Sequence, residues 1–199
     1  MHPLFDCHFG DIEWRIEKSP IPYTDAIKFM DERVEKILRN EESELVWILE
    51  HPEIYTLGTS AKDDDILDPL IPQIKTNRGG EVTYHGPGQL IFYVMLKMNR
   101  FENDLSRFLK FLKQAVIKPL QKLGVQIIQN EKNSGIWVDH PMRGKSKIGF
   151  IGVRIRKGIS FHGISLNVSP DLKAFSKIVP CGNINEKITS LKDLRIELP

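Results

Sequence analysis

Residues 147–168 read KIGFIGVRIR-KG-ISFHGISLNV, two runs rich in isoleucine, valine and phenylalanine on either side of Lys157-Gly158. Apolar runs of this composition joined by a short glycine-containing turn make a β-hairpin, so 147–156 and 159–168 are expected as neighbouring strands. Working outward, residues 136–138 and 90–98 add strand signals, and the short apolar run 45–49 reads as a buried strand stopped by His51-Pro52. Further upstream, Ile12, Trp14 and Ile16 alternate with charges between Asp11 and Glu17, the period-two pattern of a half-buried strand.

Two stretches have helical spacing instead. Ala26, Ile27, Met30, Val34, Ile37 and Leu38 recur at three- and four-residue intervals, with Thr24 as the expected N-cap and Asn40 near the stop. Leu105, Phe108, Leu109, Leu112, Ala115, Val116, Leu120 and Leu123 form a longer stripe closed by Gly124, which Pro119 should kink or break. Residues 171–178 read as a short helix leading into Pro180-Cys181. Strands interrupted by two separated helices predict an α+β fold: a mixed β-sheet with flanking helices, mainly on one side.

Composition narrows the class. With 199 residues, 41% of them hydrophobic and 27% charged, the chain suits a single domain over 1–199. The two cysteines, Cys7 and Cys181, come without a signal-peptide core near Met1 or a disulfide-rich pattern, which points to a reducing, cytoplasmic setting. No apolar run approaches the roughly 20 residues of a membrane helix, and a net charge of +2 does not call for nucleic acid. Asp63, Asp64 and Asp65 have no histidine or cysteine between them and read as a solvated loop, not a metal site.

The chemistry centres on Cys181 and Lys147. A lone cysteine is more often a small buried hydrophobe than a nucleophile. Pro180 and Gly182, however, place Cys181 at a bend, where a thiol can face a cleft and backbone N–H groups can meet a developing oxyanion. Lys147 opens the apolar strand after the basic loop Arg143-Gly144-Lys145-Ser146; solvated there it does nothing, but beside Cys181 it would lower the thiol pKa and accept its proton. Gly79-Gly80 and Gly86-Pro87-Gly88 bracket Val82-Thr83-Tyr84-His85, leaving backbone free to approach a ligand, without the spacing of a Walker A loop or a Rossmann fingerprint. Phe161-His162-Gly163 repeats the aromatic-His-Gly pattern, which favours a shared pocket. His51 and His140, each before proline, read as loop residues. Arg143, Lys145, Lys147, Arg154, Arg156 and Lys157 form a basic stretch free of acidic residues, either a solvated face or a landing patch for an acidic partner.

Taken together, Arg78-Gly79-Gly80-x-Val82-Thr83-Tyr84-His85-Gly86-Pro87-Gly88-Gln89, Lys147-Ile148, Gly152-Val153-Arg154-Ile155-Arg156, Phe161-His162-Gly163-Ile164-Ser165-Leu166-Asn167-Val168 and Pro180-Cys181-Gly182 resemble the lipoyl(octanoyl) transferase family. The resemblance implies a fold similar to the biotin and lipoate ligase catalytic domain. It implies Cys181 as acyl-thioester nucleophile and Lys147 as the lysine that lowers its pKa. Arg78, Gly79, Gly80, Glu81, Val82, Thr83, Tyr84 and His85, with Phe150, Ile151, Gly152, Gly163, Ile164 and Ser165, match segments that bind the acyl substrate. Ser165 stands where alanine is more usual. The donor implied is octanoyl-acyl carrier protein. The acceptors are lipoyl domains of 2-oxoacid dehydrogenase complexes and the glycine cleavage H protein, with no cofactor or metal, no nucleic acid and no membrane. An ATP-dependent lipoate ligase shares the fold but needs no cysteine. A cysteine-using amidotransferase differs only in its donor, and a non-catalytic carrier-binding scaffold would have no reason to keep both Lys147 and Cys181.

Overall fold

The computed structural model describes residues 12–128, 135–183 and 185–196; Asp11 and Cys7 lie outside them. In chain order the elements are β1 (Ile12–Ile16), α1 (Tyr23–Leu38), β2 (Glu44–Leu49), β3 (Ile54–Leu57), β4 (Gln73–Lys75), β5 (Val82–His85) and β6 (Gln89–Met95). There follow α2 (Leu105–Lys122), β7 (Ile127–Ile128), β8 (Ile136–His140), β9 (Gly144–Arg156) and β10 (Ile159–Asn167). Short 3-10 turns lie at Asp63–Asp65, Met98–Phe101, Leu172–Lys177 and Pro180–Gly182. The expected short helix at 171–178 is thus a 3-10 turn, capped by the Asp171 carboxylate on the Lys173 amide.

The hairpin forms as its composition requires. Lys157 and Gly158 both take left-handed backbone, φ 50° and 78°, the geometry that keeps a two-residue turn in step with twisted strands. β9 and β10 pair antiparallel and lie inside a seven-stranded sheet of order β1-β2-β6-β10-β9-β8-β7, mixed because β1 runs parallel to β2. A second sheet, β4-β3-β5, also has one parallel and one antiparallel pairing.

The helices do not share a side. Leu45, Trp47 and Leu49 of β2 and Ile91, Tyr93 and Met95 of β6 pack on Ala26, Met30, Val34 and Ile37 of α1. The intervening Val46 and Val94, with Leu96, pack on Phe108 and Leu112 of α2. Successive strand residues point to opposite faces, so strands apolar at every position need cover on both, and α1 and α2 supply it from opposite directions. α1 starts at Tyr23, ahead of the expected cap Thr24, because the Pro22 carbonyl already accepts the Asp25 and Ala26 amides. α2 is capped by the Asp104 carboxylate, which accepts from the amides of Ser106 and Arg107. It also runs unbroken through Pro119: the proline lies in the last turn, and buried Val116 and Leu120 on either side hold that turn to the sheet.

The smaller sheet folds over the β9 end of the larger one. Phe150 of β9 stacks on Phe175, ring centroids 5.4 Å apart, within a cluster that includes Tyr55, Val82 and Tyr84. A space between the two sheets results. No helix among the described residues is long and apolar enough to cross a membrane.

Candidate active site

That space is a cavity of about 360 Å³. One wall is the glycine-rich segment, Arg78 through Thr83 with His85. The opposite wall is the sheet: Lys147, Phe150, Ile151 and Gly152 from β9 and His162, Gly163, Ile164 and Ser165 from β10. The two walls meet closely at Gly152, where a Cβ would come within 3.0 Å of the Gly79 carbonyl and 3.4 Å of Arg78 Cδ. Tyr84 does not join them. Alternation along β5 turns its ring toward Tyr55 and Phe175, at 5.1 and 5.4 Å, in the core of the smaller sheet.

Arg78 organises its own loop. Its guanidinium donates to Thr56 Oγ1 and the Thr56 carbonyl at 3.0 and 2.7 Å, and to the Gly79 and Glu81 carbonyls at 3.0 and 2.6 Å. The loop is thereby tied to β3. A second network fixes the end of the segment: His85 Nδ1 donates to Gln89 Oε1 at 2.7 Å, Gln89 Nε2 donates to Asn167 Oδ1 at 2.9 Å, and Asn167 Nδ2 donates to the Thr189 carbonyl at 3.0 Å. Because Gln89 Nε2 also donates to the Tyr84 carbonyl, its oxygen faces His85 and the imidazole carries its proton on Nδ1.

Three histidines cluster at this end of the cavity. His51, expected in a loop, is fully buried; Nδ1 donates to the Ile21 carbonyl at 2.6 Å, and Nε2 accepts from the Tyr93 hydroxyl at 2.7 Å. Burial lowers its pKa to about 4. His162 binds Asn77 Oδ1 through Nε2 at 2.9 Å and is lowered to about 3 by burial, helped by the charges of Arg78 and Arg154. His85 is held well below the ordinary histidine value by burial and by its neighbours His51 and Arg78. His140, the other expected loop residue, is the buried last residue of β8. Tyr23, Ser60, Ile91, Tyr93 and Gly135 complete the lining; no motif marked them, because they arrive from separate elements.

Lys147 is not a solvated strand residue. It is 2% exposed, with Nζ 4.7 Å from the Trp137 ring centroid and 5.5 Å from that of Phe150, and it is ion-paired to Glu186. The Pro180–Gly182 turn meets the cavity wall through Gly182. Gly182 has φ 69°, and a Cβ there would fall 2.7 Å from either carboxylate oxygen of Glu81, which itself lines the cavity. The Cys181 backbone is therefore next to the cavity that Lys147 lines; its thiol lies outside the described atoms. Asp65, expected in a solvated loop, is buried and caps its own turn by accepting the Lys62 amide at 2.8 Å.

The basic stretch is divided along the 13 residues of β9, roughly 40 Å of strand. At the far end Arg156 reaches Asp31, at 2.5 Å, and Glu35 of α1, and Lys157 approaches Glu35 at 3.5 Å. At the near end Arg143 pairs with Asp193, while Lys145 is exposed. It is not one uniform patch.

Residues 22–198 match the family described as lipoyl protein ligase A/B catalytic domain. The chain is 45% identical over 188 residues to an octanoyltransferase of Bradyrhizobium diazoefficiens, covering 92% of this chain and 76% of that one. It is 47% identical over 186 residues to an octanoyltransferase of Parvibaculum lavamentivorans, covering 92% and 83%. Among solved structures, a bipartite lipoate protein ligase of Thermoplasma acidophilum superposes with a TM-score of 0.69 at 18% identity, covering 94% of this chain and 78% of that one, a likeness of fold. Identity at this level over nearly the whole length assigns the chain to the octanoyltransferase family, acyltransferases built on the lipoyl protein ligase A/B catalytic domain.

Proposed function

We propose that this chain moves an octanoyl group from acyl carrier protein to a lysine of a lipoyl domain through a thioester on Cys181. The observation that carries the reading is Lys147, buried on the wall of a cavity of about 360 Å³, with the Pro180–Gly182 turn against Glu81 of the same lining. Such a volume is at the low end for small-molecule sites, about 300–1,000 Å³, and suits a short acyl chain. Apolar Phe150, Ile151, Ile164 and Ile91 take the chain by burial, about 0.8 kcal/mol per CH₂, so selectivity for eight carbons is graded.

In the first half-reaction the Cys181 thiolate attacks the donor carbonyl. The C–S bond to the carrier's phosphopantetheine breaks, and the departing thiolate takes a proton from Lys147. In the second, the neutral amine of the acceptor lysine attacks the Cys181 thioester, its surplus proton passes to Lys147, and the amide forms as the Cys181 thiolate leaves. Backbone N–H groups near the acyl carbonyl would stabilise both tetrahedral intermediates. The thioester is already activated, so the reaction runs without ATP.

Intact mass after incubation with octanoyl carrier protein tests this. An adduct of about 126 Da, octanoyl less the displaced hydrogen, should appear without ATP on wild type and Cys7→Ala and be absent from Cys181→Ala. Labelling at Cys7, or none anywhere, would remove the thioester mechanism.

A further inference from the structure

Beyond Gly182 the chain returns across the start of β9. Lys147 donates its amide to the Lys187 carbonyl at 2.7 Å, and Thr189 donates its own to the Lys147 carbonyl at 2.9 Å, a parallel bridge that pairs Lys147 with Ile188. That bridge sets Glu186 beside the Lys147 side chain. The resulting ion pair is enclosed, its members 2% and 6% exposed. Trp137 of β8 and Phe150 of β9 cover the ammonium with ring faces and bring no charge. Among the described residues, Lys145 lies 4.4 Å from the same Trp137 ring, and Glu81 lines the opposite wall of the cavity.

A buried ammonium is costly without an anion beside it. In the resting enzyme Cys181 is either a neutral thiol, with Glu186 as the anion for Lys147, or a thiolate that shares the same ammonium with Glu186. The carboxylate stabilises the first arrangement fully. In the second, its attraction to Lys147 is offset by repulsion from the sulfur, so it favours retention of the thiol proton.

We infer that Glu186 is a positioning residue for acyl transfer: it holds the Lys147 ammonium at the cavity wall and competes with the Cys181 thiolate for it. This rests on the pairing of Cys181 with Lys147 proposed above. It adds one feature to that reading, a brake on thiolate formation whose only chemical step is release of the thiol proton to solvent.

The test is iodoacetamide alkylation of the full chain against pH, with peptide mass spectrometry separating Cys181 from Cys7. Glu186→Gln should displace the Cys181 profile toward lower pH and alkylate about 3- to 10-fold faster at pH 6.5. Glu186→Asp should stay close to wild type, because it keeps the charge. In a Lys147→Met background, adding Glu186→Gln should accelerate alkylation less than it does with Lys147 present, since competition for the ammonium is gone and only the direct repulsion between carboxylate and sulfur remains. An unchanged profile in Glu186→Gln, or equal acceleration with and without Lys147, would overturn the inference. If Glu186→Gln does not fold, wild type labelled with ¹⁵N-lysine provides the reading. A slowly exchanging ammonium resonance at pH 7 that Lys147→Met lacks supports the pair, and its absence overturns it. Loss of the octanoyl adduct in the mass measurement would instead strike at the thioester mechanism, so the two failures are distinguishable.

Discussion

In the proposed mechanism Lys147 has two jobs that its chemistry allows to be separated. As a cation it would favour the Cys181 thiolate, and as an amine it would accept and return a proton. Arginine retains the first and loses the second, because a guanidinium does not deprotonate near neutral pH. Lys147→Arg should therefore keep part of the enhanced alkylation of Cys181 at neutral pH yet lose octanoyl transfer by about 10²-fold or more, the usual scale of a general acid–base. Lys147→Met should lose both. It also leaves the Glu186 carboxylate buried without its cation, at about 3–5 kcal/mol of stability, recovered on adding Glu186→Gln. Near-wild-type transfer by Lys147→Met would reduce Lys147 to a structural residue.

At the scale of elements, β9 carries the argument. Its basic residues read as one patch in the sequence, but Arg156 and Lys157 pair with α1, while Lys145, at the Lys147 end of the strand, and Arg154 are exposed. Reversal at Lys145 should raise KM for carrier-bound octanoyl and weaken its salt dependence while sparing a small octanoyl thioester, and reversal at Lys157 should do neither. Equal losses with both donors for Lys145→Glu would place that residue in the fold or the chemistry. The difference shows what local pattern conveys. The hairpin was legible because strand composition and turn chemistry lie within 22 consecutive residues. Opposite placement of the helices was not, since a run such as Leu45-Val46-Trp47 is apolar at every position and does not show which face each helix covers. β3, β4 and β5 have three or four residues each, too few to set a period. In the site, Arg78 through Thr83 with His85 were marked by motif, as were the residues around Cys181. Tyr23 and Tyr93 line the cavity, and Glu186 reaches Lys147, only through contacts far apart in sequence.

For the whole molecule, the buried histidines couple stability to pH. An unfolded histidine titrates near 6.5, whereas native His51 and His162 do so at about 4 and about 3, and His85 is also held low. Below pH 6.5 the unfolded chain binds protons that the buried native imidazoles refuse. The contribution of each histidine is full above pH 6.5 and falls by about 1.4 kcal/mol per pH unit until the native group titrates. His140, lowered by burial and by Arg143, acts in the same direction. The lowered carboxylates Glu35, Glu41 and Glu42 lose their contribution only as pH drops below about 4.5, so the interval from 6.5 to 4.5 belongs to the histidines. Urea midpoints measured at pH 7, 6 and 5 should fall steadily, and His51→Gln, though less stable at pH 7, should flatten the slope by about 1.4 kcal/mol per unit. Because His85 and His162 line the cavity, bound octanoate should protect against acid unfolding, since it binds the native wall alone. A midpoint unchanged between pH 7 and 5 would mean that these imidazoles are accessible to protons in the folded protein, contrary to their burial.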